Sequence, residues 1–251
     1  MFKSTIISII LLITSFLSYS QEFEKDDVTI RYKNEWSGGV SFHTTGLGLE
    51  YRRAYHKTGY SKFMWTVQGF RIKHPKEVKS INPYFDKEKS FVYGKQNSLY
   101  TLRLGGGYQK VITGKNKKGN IETKYILQSG LSLALLKPNY LEVLFIPDPV
   151  NQPNHYVIRT EEFDINNHNV QNIYSKAPFR VGLGEVKPIP GLFFKGGINF
   201  EYGYEHDDLK AIEAGIMIDA YPSVLPLMVT EDNNRLYINL YVSFLYGRKW
   251  Y

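Results

Sequence analysis

The last segment of the chain decides the fold, and residues 235–247 read RLYINLYVSFLYG. Every even position from 236 to 246 is apolar or aromatic, whereas Asn239, Ser243 and Gly247 fall on odd positions. A period of two is typical of a β-strand, because successive side chains point to opposite faces. The segment from Arg235 to Tyr251 is therefore predicted to be a strand with one wholly apolar face.

The same alternation recurs upstream. In 209–221, Ile212, Ile216 and Ile218 have the opposite parity to Glu213 and Asp219, so charge and apolar bulk lie on opposite faces. Six further segments alternate in this way: 35–42, 47–52, 63–68, 101–109, 122–135 and 192–204. With the last segment, they predict eight strands.

The polar face of these strands is rich in Gly, Ser and Thr and carries only isolated charges. A water-exposed face would carry many more Lys and Glu side chains, whereas an apolar outside around a polar inside is typical of a transmembrane barrel. No run of 18 apolar residues follows residue 20, so any span must use strands. The sequence predicts an all-β protein, an antiparallel up-and-down transmembrane β-barrel with long extracellular loops.

The lengths of the links agree with this topology. Short links at about 56–61, 112–120 and 205–208 alternate with long links at about 73–97, 137–190 and 222–234. Outer-membrane barrels have short periplasmic turns and longer external loops. The link at 43–46 is an exception, because it is short but falls on the external side.

Aromatic residues make up 15% of the chain, with 20 Tyr. Tyr and Trp favour membrane interfaces, where one end of the side chain is apolar and the other is wet. Outward-facing rings near the ends that carry the short turns predict a periplasmic aromatic rim. Its members are Trp36, Trp65, Tyr108, Tyr125, Tyr202, Phe244 and Tyr246.

Residues 1–20 have the features of a signal peptide that is removed near Ser20-Gln21: a positive charge at Lys3 followed by a short apolar run from Ile6 to Leu17. The remainder, 21–251, is predicted to form one barrel domain. Because the chain has no cysteine, disulfides cannot stabilise it. Its net charge of +7 is spread along the chain rather than clustered, which argues against a nucleic-acid partner.

The signal peptide, the alternating strands and the aromatic final strand together resemble the small outer-membrane β-barrel proteins of Gram-negative bacteria, most of them uncharacterised. The resemblance covers about residues 21–251. It implies a location in the bacterial outer membrane, contact with outer-membrane lipid, and recognition of the C-terminal strand by the barrel-assembly machinery. Gly247 to Trp250 follow the alternating run, so the recognition signal is expected at Phe244 and Tyr246, with the last four residues overrunning the rim into the periplasm.

Ten charged residues, six acids and four bases, lie at strand positions that are predicted to face inward. They are expected to pair as a charge network in the barrel interior. They are Glu35, Glu50, Arg52, Arg103, Glu122, Lys124, Lys195, Glu201, Glu213 and Asp219. Eight strands enclose an interior just wide enough for side chains to fill. The alternative is a narrow pore for ions or small solutes.

A lipid-modifying enzyme is a second alternative, because Ser41 and His43 share a face and could pair as nucleophile and base. The remaining histidines fall in turns and loops without metal-binding spacing. Glycines 105–107 and 196–197 lie inside strands, where they indicate bulges, bends or close packing. No catalytic, metal or cofactor site is predicted.

The external loop 137–190 is long enough to be functional. Residues 140–146 and 156–159 are expected to form a hairpin above the membrane, and 170–186 a short helix or an inward plug. The leading hypothesis is a non-enzymatic barrel whose loops 137–190 and 73–97 bind an unidentified extracellular ligand or envelope protein, or support the envelope. An accessory barrel for envelope protein export is a further alternative.

Overall fold

The computed structural model describes residues 32–82, 89–114, 121–147, 156–202 and 207–251. The predicted signal peptide and its cleavage position lie outside the described residues. Among the described residues, no helix is long and apolar enough to cross a membrane.

The described residues form thirteen strands, and eight of them make up the wall of a single closed barrel. The wall strands are β1 (Asn34–His43), β2 (Gly46–Thr58), β3 (Ser61–Ile72), β6 (Asn97–Thr113), β7 (Glu122–Pro138), β11 (Lys187–Glu201), β12 (Asp208–Ala220) and β13 (Leu236–Trp250). The strands outside the wall are β4 (Lys79–Ser80), β5 (Phe91–Val92), β8 (Tyr140–Phe145), β9 (Val157–Glu162) and β10 (Ile173–Lys176). A three-residue 3-10 helix spans Leu183–Glu185.

Every wall strand pairs antiparallel with its neighbours, in the order β1-β13-β12-β11-β7-β6-β3-β2. The first and last strands close the ring with an unbroken register from Asn34↔Trp250 to His43↔Tyr241. Closure leaves no wall strand with a free edge, so the backbone polar groups of the wall can be satisfied inside a bilayer. The predicted fold class is confirmed.

The side chains divide between the two faces as the alternation predicts. Leu104 and Leu240 are 59% and 61% exposed on the outside, whereas their sequence neighbours Arg103 and Asn239 are each 1% exposed on the inside. The short and long links also alternate as predicted, and only Thr44 and Thr45 join β1 to β2. A closed eight-stranded barrel with this outer surface is a transmembrane barrel of the bacterial outer-membrane type.

The predicted final strand, Arg235 to Tyr251, is observed as β13 (Leu236–Trp250), but the expectation that its last four residues pass beyond the rim into the periplasm was wrong. Gly247 to Trp250 do not leave the wall but continue β13, where Gly247 pairs with Ser37 and Leu209, and Trp250 pairs with Asn34. Both neighbouring strands extend far enough to pair with these residues, so the backbone stays in the sheet after the apolar alternation stops.

β11 begins at Lys187, five residues before its predicted start at 192. Pro188 and Pro190 pair with β7, but pairing with β12 begins only at Leu192. A proline has no N–H to donate and suits a stretch of strand that is paired on one side. These two prolines concealed the beginning of the strand.

The long loop after β7 forms a sheet of its own. β8 pairs with β9, which confirms the predicted hairpin, and β10 pairs with the other edge of β8. Its apolar core contains Phe91, Leu141, Val143, Phe163 and Ile173. We call β8, β9 and β10 the outer sheet. The prediction for 170–186 was wrong, because this segment forms β10 and the 3-10 helix rather than a regular helix or a plug.

Candidate functional site

The interior of the barrel is the first candidate site, and its centre is a four-residue ion-pair cluster. Arg52 lies between Glu50 and Glu213, with Nη2 3.0 Å from Glu50 Oε1 and Nη1 2.6 Å from Glu213 Oε2. Lys195 Nζ lies 3.0 Å from Glu50 Oε2 and 3.1 Å from Glu213 Oε1. Two acids and two bases thus neutralise one another without access to water, which is the condition under which buried charges are tolerated.

Amides and one phenol add further hydrogen bonds to this cluster. Tyr241 donates its hydroxyl to Glu213 Oε1 at 2.9 Å, and Asn199 Nδ2 donates to Glu213 Oε2 at 3.1 Å. Gln68 Nε2 donates to Glu50 Oε2 at 3.2 Å. The carboxylates are therefore held by several donors each, which orders the cross-section of the lumen.

A second cluster lies toward the end of the barrel where the termini and short turns are. Lys62 Nζ contacts both oxygens of Glu35, at 2.5 and 2.7 Å. Lys124 Nζ lies 2.5 Å from Glu201 Oε2 and 2.9 Å from Glu122 Oε2. Lys249 Nζ binds the other oxygen of Glu201 at 2.6 Å. Each acid at this level has an ammonium partner.

A third cluster lies toward the opposite end. Arg103 forms a two-point ion pair with Asp219, with Nε 2.7 Å from Oδ1 and Nη2 2.5 Å from Oδ2. Ser132 donates to Asp219 Oδ1 at 3.2 Å and contacts the hydroxyl of Tyr221 at 2.9 Å. The guanidinium of Arg103 also lies 4.4 Å from the ring centre of Phe70, so a planar cation is packed on an aromatic face.

All ten charged residues singled out from the sequence thus face the interior and are divided among these three clusters. The sequence analysis missed Lys62, Lys249 and His56, which the structure adds to the second cluster. With the two lysines, six acids meet six Lys or Arg side chains. The alternation could have identified the two lysines. Lys62 lies two residues before the inward-facing Met64, and Lys249 lies four residues after the inward-facing Leu245, so both share the inward face of their strands.

Ser41 and His43 do not form a nucleophile and base pair. Ser41 Oγ hydrogen-bonds to Glu50 Oε1 at 3.2 Å and to Ser243 Oγ at 2.5 Å, whereas His43 Nδ1 contacts Thr45 Oγ1 at 3.1 Å. The His43 ring packs edge-on against Phe70. Within the described segments, no group of three His, Asp or Glu side chains could hold a metal ion.

The outer mouth of the barrel is covered by residues 222–234, which link β12 to β13 and which we call the cap. Leu225, Leu227 and Met228 are buried against the apolar upper end of the wall, including Leu136. The cap is tied to the link after β5 by backbone bonds: Gln96 N–H donates to Leu227 O at 2.9 Å, and Val229 N–H donates to Gly94 O at 2.8 Å. The lumen therefore contains ion pairs at three levels, and apolar side chains of the cap cover its outer mouth.

The predicted aromatic rim residues all face outward. Tyr108 and Tyr125 lie next to each other on β6 and β7, with ring centres 6.3 Å apart, and Trp65 lies 5.8 Å from Tyr51. Trp36 is level with Arg248, near the end of β13, and Tyr246 lies two residues above that arginine on the same face. Tyr202 follows directly after β11.

Phe244 differs from the other rim residues. It lies in the middle of β13 and packs edge-on against Phe42, one residue from the opposite end of β1. Arg248 is level with the beginning of β1, which has only ten residues. Phe244, four residues away from Arg248 along β13, is therefore level with the second half of β1. Phe244 is therefore placed on the apolar band rather than on the rim.

No protein-family model matches the sequence, and no curated protein matches it. Among solved structures, the chain is similar to Ail, the attachment invasion locus protein of Yersinia pestis, with a TM-score of 0.41, 8% identity, and coverage of 87% of this chain and 99% of that chain. It is similar to Neisserial surface protein A, with a TM-score of 0.41, 8% identity, and coverage of 87% and 96%. It is also similar to the outer membrane protein OprG from Pseudomonas aeruginosa, with a TM-score of 0.36, 10% identity, and coverage of 88% and 97%. The placement of this chain in a bacterial outer membrane rests on its own closed wall and apolar outer face.

Proposed function

We propose that this chain is a non-conducting, non-enzymatic barrel that anchors the outer sheet at the cell surface, where the sheet binds an extracellular ligand or another envelope protein. The observation that supports this proposal is that the long loop folds into a sheet with its own buried core, whereas the lumen is occupied by paired charges. Four side chains of this loop, Leu141, Val143, Phe163 and Ile173, are buried together with Phe91 of β5, and an ordered loop of this length is usually functional.

The strand β9 is the part of the outer sheet best suited to contact a partner. It lies at the edge of the order β10-β8-β9, and all six of its residues are exposed. Its outer edge pairs with no strand among the described residues. A free edge with unpaired backbone donors and acceptors can receive an extended segment of another protein.

The opposite edge of the outer sheet is covered. Asn82 Nδ2 donates to Ile173 O at 2.7 Å and to Gln171 O at 3.2 Å, so a side chain occupies backbone acceptors at the start of β10 and just before it. On β9, by contrast, Ile158 is half exposed, and the guanidinium carbon of Arg159 lies 3.6 Å from the ring centre of Phe145 on β8. We therefore assign the contact surface to the β9 side.

A photo-crosslinking amino acid at Ile158 tests this assignment in living cells. The matched control is the same amino acid at Val224, which is exposed to a similar degree on the cap. The proposal expects one discrete adduct from position 158 and none from 224. Equal adducts at both positions, or none at either under conditions where both variants are folded at the surface, would refute it.

The runner-up is a narrow pore, and the ion pairs at the centre of the lumen argue against it. Purified protein in a planar bilayer is expected to show no steady conductance, and removal of the cap residues 224–232 is expected to leave it closed, because Arg52 and Lys195 still fill the interior. Conductance in the intact chain would favour the pore.

Two further partners are part of the proposal. The apolar outer face binds outer-membrane lipid, and β13 is recognised during insertion by the barrel-assembly machinery. Tyr246 and Trp250 offer aromatic rings at the end of that strand. Replacing both rings by Ser is expected to slow insertion in cells more than spontaneous folding into vesicles, and equal effects on the two would count against recognition.

A further inference from the structure

A small crevice lies on the outside of the barrel wall, at its upper end, where the outer sheet meets β6 and β7. Its walls include Ser98, Tyr100, Lys137, Tyr140, Lys176 and Phe179. We call it the rim crevice. Its volume is about 280 Å³, part of which is open to solvent.

The parity of the wall strands shows that the crevice faces the membrane side. Tyr100 belongs to the same face of β6 as the exposed Leu102 and Leu104, and Lys137 to the same face of β7 as the exposed Leu131. Ser98 and Lys137 are paired neighbours at the ends of these strands. The crevice therefore lies directly above the apolar band, at the level where lipid headgroups begin.

Two ammonium groups meet there without a carboxylate partner. Lys137 is only 7% exposed, and its Nζ donates to the carbonyl of Pro138 at 3.3 Å. Neither Lys137 nor Lys176 forms an ion pair within the described part of the chain. The charge of Glu185 acts on Lys137 from a distance, and its carboxylate accepts the hydroxyl of Tyr140 at 2.8 Å rather than an ammonium group of the crevice.

The surroundings of Lys176 are also positive. Partial burial lowers the pKa of Lys176, and the charge of Arg71 lowers it further. The charge of Glu77 opposes this shift, and Lys79 adds a smaller lowering effect. The carboxylate of Glu77 is already engaged by Lys95, at 2.6 Å. Partly buried cations that lack a counter-charge are unfavourable, so an anion that entered this crevice would be stabilised.

Aromatic side chains give the crevice an apolar side. Phe179 packs edge-on against Tyr100, with ring centres 6.1 Å apart, and Lys137 Nζ lies 5.4 Å from the centre of the Phe179 ring. Phe179 is itself 57% exposed. A ligand with a charged head and an apolar body would satisfy both the ammonium groups and this exposed ring.

We propose that the rim crevice binds a phosphate group of a phosphorylated lipid in the outer leaflet, with Lys137 and Lys176 as the two cationic contacts. The phosphate would lie between the two lysine side chains, and the acyl chains would lie along the apolar wall below. This proposal depends on the placement of the barrel in the membrane but not on the proposed role of β9.

Native mass spectrometry of the full chain in a detergent without phosphate tests the proposal. The probes are lipid A, dephosphorylated lipid A and inorganic phosphate. The test variant is Lys137→Gln with Lys176→Gln. The control is Lys110→Gln with Lys210→Gln, which removes two outward ammonium groups at the opposite end of the barrel. Heat-dependent gel mobility verifies that each variant is folded.

The wild-type chain is expected to bind lipid A at least about tenfold more tightly than the dephosphorylated form, and the test variant to lose that preference while the control keeps it. Equal binding of the two lipids, or equal loss in the control, would overturn the proposal. Inorganic phosphate that binds as tightly as lipid A would identify a site for a soluble anion and would overturn the lipid assignment.

Discussion

The guanidinium of Arg52 on β2 binds the carboxylate of Glu213 on β12 across the barrel interior, with Nη1 2.6 Å from Oε2. The two residues are 161 positions apart, and β1 and β13 separate their strands in the wall. Their side chains therefore meet inside the lumen rather than along a strand pair. This contact joins two strands that are not neighbours in the wall and places paired charges within the lumen at that level.

Arg52→Ala is expected to lower the free energy of unfolding by about 3–5 kcal/mol, because it leaves Glu50 and Glu213 buried with one cation fewer. Urea titration in lipid vesicles, followed by tryptophan fluorescence, measures the change. Arg53→Ala is the matched control on the same strand. Arg53 is half-buried and faces outward over the ring of Trp250, at 4.1 Å, so its loss is expected to cost at most about 1 kcal/mol. Equal losses from the two substitutions would contradict the account of the interior.

Gly197→Ala is expected to destabilise the barrel by about 1–3 kcal/mol through overpacking. A Cβ at this position would lie 2.5 Å from the hydroxyl of Tyr241, which donates to Glu213. Gly196→Ala is the control on the neighbouring, outward-facing position, where the nearest atom, in the Leu127 side chain, lies 3.4 Å away. The same urea titration distinguishes the two, and a larger loss from Gly196→Ala would show that the faces of β11 are assigned wrongly.

Ile216→Asp is expected to prevent stable insertion. Ile216 pairs with Leu240, and both side chains are exposed on the apolar band. A charge at the bilayer midplane costs ~2–4 kcal/mol for Arg or Lys and somewhat less for Asp. Heat-dependent gel mobility after folding into vesicles reports insertion. Ile216→Ala should insert normally, and normal insertion of the Asp variant would reverse the assignment of the lipid face.

Leu227→Ala is expected to loosen the cap without unfolding the barrel. Removal of a buried Leu side chain typically costs 2–5 kcal/mol, and here the loss falls mainly on the contact between the cap and the upper wall. The rate of proteolytic cleavage within 222–234 should rise, while the gel mobility of the folded barrel stays unchanged. Val224→Ala, at an exposed position of the same segment, should change neither. An unaltered cleavage rate in Leu227→Ala would contradict the described packing of the cap.

The wall could be predicted from the sequence because its two faces meet different solvents. One face of each strand contacts lipid and the other faces the polar interior, so apolar and polar side chains alternate with a period of two. The neighbours Leu240 and Asn239 show this alternation. The prediction failed at positions where apolar and polar side chains no longer alternate. Trp250 is held by backbone pairing rather than by an apolar face, and Pro188 interrupts the alternation while remaining in the sheet.

The contacts of the interior and of the mouth depend on tertiary geometry that a linear pattern does not contain. Parity indicated that Glu213 faces inward, but not that it meets Arg52, because that contact depends on which strands lie opposite each other in the closed ring. The burial of Leu227 was equally hidden, since the apolar residues 224–229, which Pro226 interrupts, alternate with no clear period of two or 3.6. The rim crevice combines Lys137 and Lys176 from the wall and the outer sheet.

Single cysteines provide the most direct measurement of the central claim, because the chain has none of its own. Ile158→Cys on β9, Leu240→Cys on the apolar band and Lys57→Cys at the end of β2 place one thiol outside, in the lipid and in the periplasm, respectively. Treatment of intact cells with a membrane-impermeant maleimide is expected to label position 158 alone. Position 57 should become labelled only after the outer membrane is broken, and position 240 only by a lipid-soluble reagent. Labelling of position 240 by the impermeant reagent in intact cells, or of position 57 in place of 158, would contradict the proposed face and orientation of the barrel.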